Sequence, residues 1–380
     1  MTHFDPALIA GATLRIDLDA LVDNYRRIEA RTAPARVAAV VKANGYGLGA
    51  EPVSRALYDA GCRHFFVAQL GEAVVLRPSL AQDAALYVLN GLQPGAEPCC
   101  AEIGAIPVLN APDQIARWAE TARARGARLR AALQLDSGMA RLGLAPEDAA
   151  RLAADPAALA DIELTLVMSH LACADEGDVA ANAAQWRAFQ ARAAAWPGVP
   201  RSLDNSGGAF LPRGDHLDLV RPGIALYGGA PTFGEANPMR PVVSLTARIV
   251  QVRDVPAGAG VGYGLTSVAD HARRIATIAV GYADGWPRHL SNRGAAFIAG
   301  TRAPIAGRVS MDSITLDVTD VPEAALAPGA PVELLGPHQG IDQVAAEAGT
   351  IAYEILTQLG SRYARIYQPV RAAREGCVAA

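Results

Sequence analysis

Between residues 37 and 220 short apolar runs recur at 37–41, 65–68, 85–89, 105–109, 129–135, 164–168, 201–203 and 217–220. Runs this short, bounded by polar turn residues, read as strands buried on both faces. Segments with helical spacing of apolar residues lie among them. The first covers 20–33, with Asp19 as its cap and Leu21, Tyr25 and Ile28 on one face; others cover 51–60, 71–77 and 112–125. Residues 14–18 read as one more strand or an extended lead-in. Strand and helix alternating about eight times predicts an α/β fold, a (β/α)8 TIM-like barrel, with a doubly wound open sheet as the alternative. Lys42, Asp136, His170, Asn205, Ser206 and Arg221 all stand just after strands. In a barrel those positions converge on the C-terminal face, where active sites lie.

The pattern changes near residue 235. Alternating runs follow at 243–250, 275–280, 296–298, 314–318 and 331–335, parted by Gly- and Pro-rich turns such as 256–260. That is a mainly-β module, with one helix over about 342–349 that extends toward 359. The expected organisation is a barrel over 12–235 and a C-terminal β domain over 236–370, with residues 1–11 packing on the latter. Residues 371–380 read as a loose tail.

A chain of 380 residues is long enough for two domains. Its formal charge of −4, with Lys and Arg dispersed, gives no footprint for nucleic acid. No apolar stretch reaches the roughly 18 residues of a membrane span, and the first residues lack the order of a signal peptide. Five cysteines, at 62, 99, 100, 173 and 377, contain no C-x-x-C pair and build no disulfide or zinc framework. The expectation is a reduced cytoplasmic protein without a metal.

Lys42 closes the 37–41 run, and glycines follow at 45, 47 and 49. Desolvation at a buried strand end lowers a lysine pKa and leaves a nucleophilic amine. Such an amine condenses with a carbonyl, and pyridoxal phosphate is the commonest cofactor of that kind. The plainer reading is a lysine that snorkels to solvent. The glycine spacing is neither a dinucleotide fingerprint nor a P-loop. The other candidates each have a plain alternative. Ser206 in an Asn-Ser-Gly-Gly segment is a turn or a phosphate contact. His170 is a core histidine or a catalytic one, Tyr263 reads as a packed turn residue, and Asp136 with Arg141 is an ion pair or part of a site.

Taken together, the stretches resemble the alanine racemases, pyridoxal-phosphate enzymes of the fold III type. The stretches that carry the resemblance begin with 39–47, around Lys42 and Tyr46, and 136–143, from Asp136 through Arg141 to Gly143. They continue with 168–172, 205–207, 220–228, 262–264, 281–285, 307–312 and 352–354. They span nearly all of 12–368.

The resemblance implies racemisation of L- and D-alanine between two bases, supplying D-alanine for peptidoglycan. Lys42 would carry the cofactor and act as one base. Tyr263, from the partner of a homodimer, would be the other on the opposite face of the substrate Cα. Arg221 would face the pyridine nitrogen and, able only to donate, keep it unprotonated. His170 would lie between Tyr263 and Arg221. Tyr46, Ser206, Tyr353 and the backbone N–H groups of Gly223 and Ile224 would hold the phosphate, and Asn205 would join the cofactor site. Arg141 and the backbone of Met311, also from across the interface, would hold the substrate carboxylate. Tyr282 and Tyr353 would narrow the access and favour a methyl side chain.

Two residues depart from the family pattern. Leu48 replaces a histidine that many relatives carry. Gln134 replaces a lysine that becomes carbamylated and orients the residue matching Arg141; a neutral amide would position Arg141 directly or through an anion such as chloride. The alternatives are a broader-specificity amino-acid racemase and a non-catalytic pyridoxal-phosphate-binding protein. Tyr263 and the β domain argue against the second.

Overall fold

A computed structural model describes residues 5–177 and 179–369 of the chain, so the tail expected at 371–380 and Cys377 lie outside the described residues. Two compact units divide it. One holds residues 21–226 and 230–239; the other holds the residues up to 20, 227–229 and those from 240 onward. The first strand, β1 (Ala12–Asp17), belongs to the sheet of the second unit, which differs from the barrel expected to begin at residue 12. The helix that follows, Leu18–Thr32, is capped by Asp17, whose Oδ1 accepts the Ala20 N–H at 2.8 Å, and not by Asp19.

The first unit is a parallel barrel. Its first staves are β2 (Arg36–Val37) and β3 (Ala39–Val40), which are one strand interrupted at Ala38. Then come β4 (His64–Val67), β5 (Ala85–Val88), β6 (Ile106–Leu109), β7 (Leu129–Gln134), β8 (Ile162–Met168) and β9 (Arg201–Ser202), and β3 through β9 pair in sequence order. The last stave, β10 (Leu219–Val220), pairs with β2 and closes the ring. Backbone bonds continue that seam: Ala38 N–H donates to Val220 O and Val40 N–H to Pro222 O. On the other side Asp218 N–H donates to Arg201 O and Arg221 N–H to Asp204 O. Closure abolishes sheet edges, and burial on both faces explains why β6 is apolar throughout. Phe66 stacks on Tyr87 with centroids 4.4 Å apart in the wall of the barrel. Helices Ala50–Asp59, Leu70–Leu76 and Pro112–Arg125 stand within a residue of their expected places. Helices Glu97–Glu102, Pro146–Ala154 and Ala180–Ala193 are additional; the last is so rich in alanine that apolar periodicity does not mark it.

The second unit is organised by one long strand, β11 (Val243–Val255). The remaining strands are β12 (Gly260–Val261), β13 (Ser267–Val268), β14 (Arg273–Ile278), β15 (Ala295–Ile298), β16 (Thr301–Pro304), β17 (Ile314–Asp317), β18 (Pro331–Leu335) and β19 (Ala364–Gln368). β11 pairs antiparallel with β1, β14 and β18, and β1 pairs parallel with β19. β12 and β13 form a separate hairpin whose tip is the Tyr263–Leu265 turn. The helix expected to run toward 359 is two helices, Ile341–Ala348 and Ala352–Gln358. Gly349 ends the first at φ +70°, a left-handed cap that a glycine adopts without strain. No helix among the described residues is long and apolar enough to cross a membrane.

Candidate active site

Lys42 stands at the C-terminal end of the first barrel stave, and the backbone turns sharply beyond it. Ala43, Asn44, Gly45 and Tyr46 have φ of 52°, 54°, 64° and 54°, one turn of left-handed helix. For residues other than glycine that conformation costs about 1–2 kcal/mol each. The turn is tied by Gly47 N–H to Ala43 O at 2.7 Å and Gly49 N–H to Asn44 O at 2.8 Å. The Asn44 Oδ1 takes the Ala50 N–H at the start of the next helix. Burial lowers the Lys42 pKa, the nearby Arg141 charge lowers it further, and Glu72 opposes both.

Arg221, just past β10, is buried, with 3% of its surface exposed. Its Nη2 donates to Ser169 O at 2.6 Å and to Leu203 O at 3.4 Å, and its Nη1 donates to Ser202 Oγ. The ends of β8, β9 and β10 thus meet on one guanidinium. Burial pulls its pKa down to about 10, opposed by the charge of Asp204, so it stays cationic at neutral pH. Nη2 also lies 3.4 Å from His170 Nδ1. A guanidinium can only donate, so Nδ1 is the acceptor and the imidazole proton sits on Nε2. Burial, then Arg221, Arg141 and Lys42, lower the His170 pKa to about 3. Gln185 positions this histidine's backbone, donating to His170 O at 3.0 Å and accepting the Ala172 N–H at 2.8 Å.

Beside Arg221 the chain forms a cradle for an anion. The buried Ser206 Oγ accepts the N–H groups of Gly223 at 2.9 Å and Ala225 at 3.3 Å. Tyr46 Oη lies so close to Gly223 that a Cβ there would stand 2.1 Å from it. The N–H of the buried Ile224 makes no hydrogen bond among the described residues. Two hydroxyls, those of Tyr46 and Ser206, beside the unbonded backbone N–H of Ile224 match what a phosphate requires. The Arg221 Nε–H is likewise unbonded among the described residues, a donor that fits an unprotonated ring nitrogen. The residues present therefore suit pyridoxal phosphate. Asn205 shapes the adjoining turn, accepting the Gly208 N–H at 2.9 Å.

The 136–143 loop differs from an ion pair. Burial raises the Asp136 pKa, but N–H donors from Gly138, Ala140 and Met139 outweigh it and hold the carboxyl below its usual range. Arg141 is exposed and pairs with no carboxylate among the described residues. Among the described residues no hydrogen bond joins Gln134 to Arg141. Gln134 is buried, and its Nε2 donates to Leu142 O at 3.2 Å, so it fixes the backbone next to the arginine.

The second unit carries Tyr263, Tyr282, Met311 and Tyr353. Tyr263, at the β12–β13 tip, is 71% exposed, and Met311 and Tyr282 are also exposed. The loops of the last two are bound together, Tyr282 N–H to Ser310 O and Ala283 N–H to Met311 O, each at 3.0 Å. Arg362, which no sequence signal singles out, bridges Asp284 on one of these loops to Asp312 on the other. Tyr353 lies in helix Ala352–Gln358.

Comparison with known proteins agrees over both units. Residues 16–231 match the family model of the alanine racemase N-terminal domain, and 242–367 that of the C-terminal domain. A catabolic alanine racemase of Agrobacterium fabrum is 54% identical over 94% of this chain and 92% of its own length. An alanine racemase of Brucella canis is also 54% identical, over 95% of this chain and 94% of its own. The crystal structure of alanine racemase from Bartonella henselae with covalently bound pyridoxal phosphate superposes with a TM-score of 0.91. It is 42% identical, covering 94% of this chain and all of that one.

Two outcomes follow from the geometry. Gly223→Ala drives a methyl group into Tyr46 Oη, so pyridoxal phosphate should bind the cofactor-stripped variant at least about tenfold more weakly. Absorbance titration checks this, and equal affinity contradicts the cradle. The second concerns His170, whose folded pKa of about 3 lies below the ordinary value near 6.5. The unfolded chain takes up a proton in that interval that the folded chain refuses, so stability is full above pH 6.5 and declines as pH falls toward 3. Denaturant unfolding of His170→Gln should show a pH slope shallower by up to about 1.4 kcal/mol per unit in that window; an unchanged slope contradicts the assignment.

Proposed function

The chain belongs to the alanine racemase family, and from that membership we propose how its own residues divide the reaction. The protein interconverts L- and D-alanine with pyridoxal phosphate as cofactor. When bound, the cofactor withdraws electrons from the substrate Cα and so makes its proton removable. Lys42 is the amine that carries it, and its lowered pKa leaves a base able to take or return that proton on one face. Tyr263 of the partner subunit is the opposed base. A phenol 71% exposed in a single chain cannot exclude water by itself. Leu265, Val268 and Met311 are exposed apolar residues of the same unit, and burying them against a second copy accounts for all of these exposures together. The reading thus makes the enzyme a homodimer with shared sites.

The observation that carries the reading is the buried, cationic Arg221. Its Nε–H would donate to the ring nitrogen of the bound cofactor and, able only to donate, would keep it unprotonated, which would moderate electron withdrawal and disfavour side reactions such as transamination. Neutral His170, with its proton on Nε2, relays hydrogen bonding from Arg221 toward the tyrosine base. Tyr46, Ser206 and the N–H of Ile224 would hold the phosphate on the turn beside Gly223, and Asn205 keeps that turn in shape. Arg141, next to the Leu142 carbonyl that Gln134 holds, takes the substrate carboxylate with the backbone of the partner's Met311. Tyr282 and Tyr353 restrict the side-chain space to a methyl group.

Chiral chromatography of L-alanine and a panel of L-amino acids with the pyridoxal-phosphate-loaded enzyme tests this. Alanine should racemise fastest. Tyr263→Phe should lower the L-to-D rate by at least about a hundredfold, the scale of a lost acid–base group. Comparable rates on several amino acids would favour a broader racemase, and no turnover with bound cofactor a carrier. The D-alanine formed supplies peptidoglycan in this reading; the catabolic name of the Agrobacterium relative favours D-alanine breakdown as a second reading. Deleting the gene should impose a requirement for D-alanine under the first. A deletion strain that grows without D-alanine but cannot use it as a carbon source supports the second.

A further inference from the structure

The left-handed turn behind Lys42 is held by a side chain from another part of the barrel. Glu72, in the first turn of helix Leu70–Leu76, reaches across with both carboxylate oxygens. Oε1 accepts the N–H of Ala43, the first amide beyond Lys42, at 2.5 Å. Oε2 accepts the N–H groups of Ala68 at 2.7 Å and Gln69 at 3.0 Å, the two residues that follow β4. One carboxylate therefore ties the end of the first stave to the end of the second at the residue next to the lysine. Charge-assisted bonds to backbone N–H groups are the stronger kind. They offset the strain of a turn in which Ala43, Asn44 and Tyr46 all have positive φ. The hand of that turn fixes the directions in which Lys42 and the phosphate-side Tyr46 leave the backbone.

We propose that Glu72 is a positioning residue for the reaction: its carboxylate clamps the left-handed turn that aims the Lys42 amine at the substrate. The proposal rests on the reading that Lys42 carries the cofactor. Glu72 is also a negative charge that favours the protonated form of Lys42 and partly offsets the effect of burial and Arg141. The side chain touches neither substrate nor cofactor in this role.

The test uses the pyridoxal-phosphate-loaded enzyme and Glu72→Ala, Glu72→Asp and Glu72→Gln. Borohydride reduction followed by peptide mapping locates the bound cofactor, and kcat, KM for alanine and the thermal unfolding midpoint are measured in parallel. Displacing a reacting group by about an ångström can cost a hundredfold. Glu72→Ala should therefore lower kcat at least about tenfold, with KM within about twofold, and the losses of kcat in Glu72→Ala, Glu72→Asp and Glu72→Gln should not be in proportion to their unfolding midpoints. Glu72→Asp, too short to span the two staves, should resemble it. Glu72→Gln keeps the length and one acceptor oxygen and should recover part of kcat. An adduct on a residue other than Lys42 in the unaltered enzyme overturns the lysine reading and the proposal with it. An adduct on Lys42 combined with kcat within about twofold in Glu72→Ala overturns the clamp alone. So does a loss of kcat that only tracks a fall in the unfolding midpoint across the three variants.

Discussion

A guanidinium held out of water is the constraint on which the barrel mouth depends. Burying a charge is costly unless its hydrogen bonds are met, and Arg221 meets its own from Ser169, Ser202 and Leu203 without a carboxylate in direct contact. Those partners come from the ends of neighbouring staves, so the cation is affordable only in a closed ring. Its charge then adds to burial in setting the protonation of His170. The His170 pKa is held down to about 3 first by burial and next by this charge. Lys42 is lowered by burial and by Arg141. The mouth thus holds a neutral imidazole and a lysine whose ammonium form is disfavoured, beside a guanidinium that keeps its proton.

The staves were legible because each is a short apolar run buried on both faces, and such a run looks the same wherever it lies in the ring. Lys42, His170 and Arg221 were legible as positions, since polar residues directly after buried strands stand out. Their partners were not. Ser169, Ser202 and Leu203 meet on Arg221 only once the barrel closes, and nothing local marks them. The 43–46 turn was hidden for a different reason: Asn44 and Gly45 tolerate a left-handed backbone, but Ala43 and Tyr46 carry no signal for it, and a tertiary contact holds it there. Glu72 reads as an ordinary acid in the first turn of a helix. β1 shows the same limit, because its residues specify a strand while its partners lie at 243–247 and 364–368.

The two units make different contributions. The barrel assembles the anion cradle, the buried cation and the lysine within one continuous set of stave ends. The second unit presents Tyr263, Tyr282 and Met311 on exposed loops. A base exposed on its own chain but needed in a closed site is a reason for a dimer that no contact in the barrel supplies. The account therefore stands on the claim that each site takes Lys42 from one protomer and Tyr263 from its partner.

The most direct measurement of that claim mixes two inactive proteins, Lys42→Ala and Tyr263→Phe, dissociates them together and lets them reassociate. Random pairing makes half of the dimers mixed, each with one intact site and one doubly altered site, so the account predicts recovery of about one quarter of unaltered activity. Mixtures that stay inactive although mixed dimers have formed would contradict it, because both bases would then have to come from the same chain.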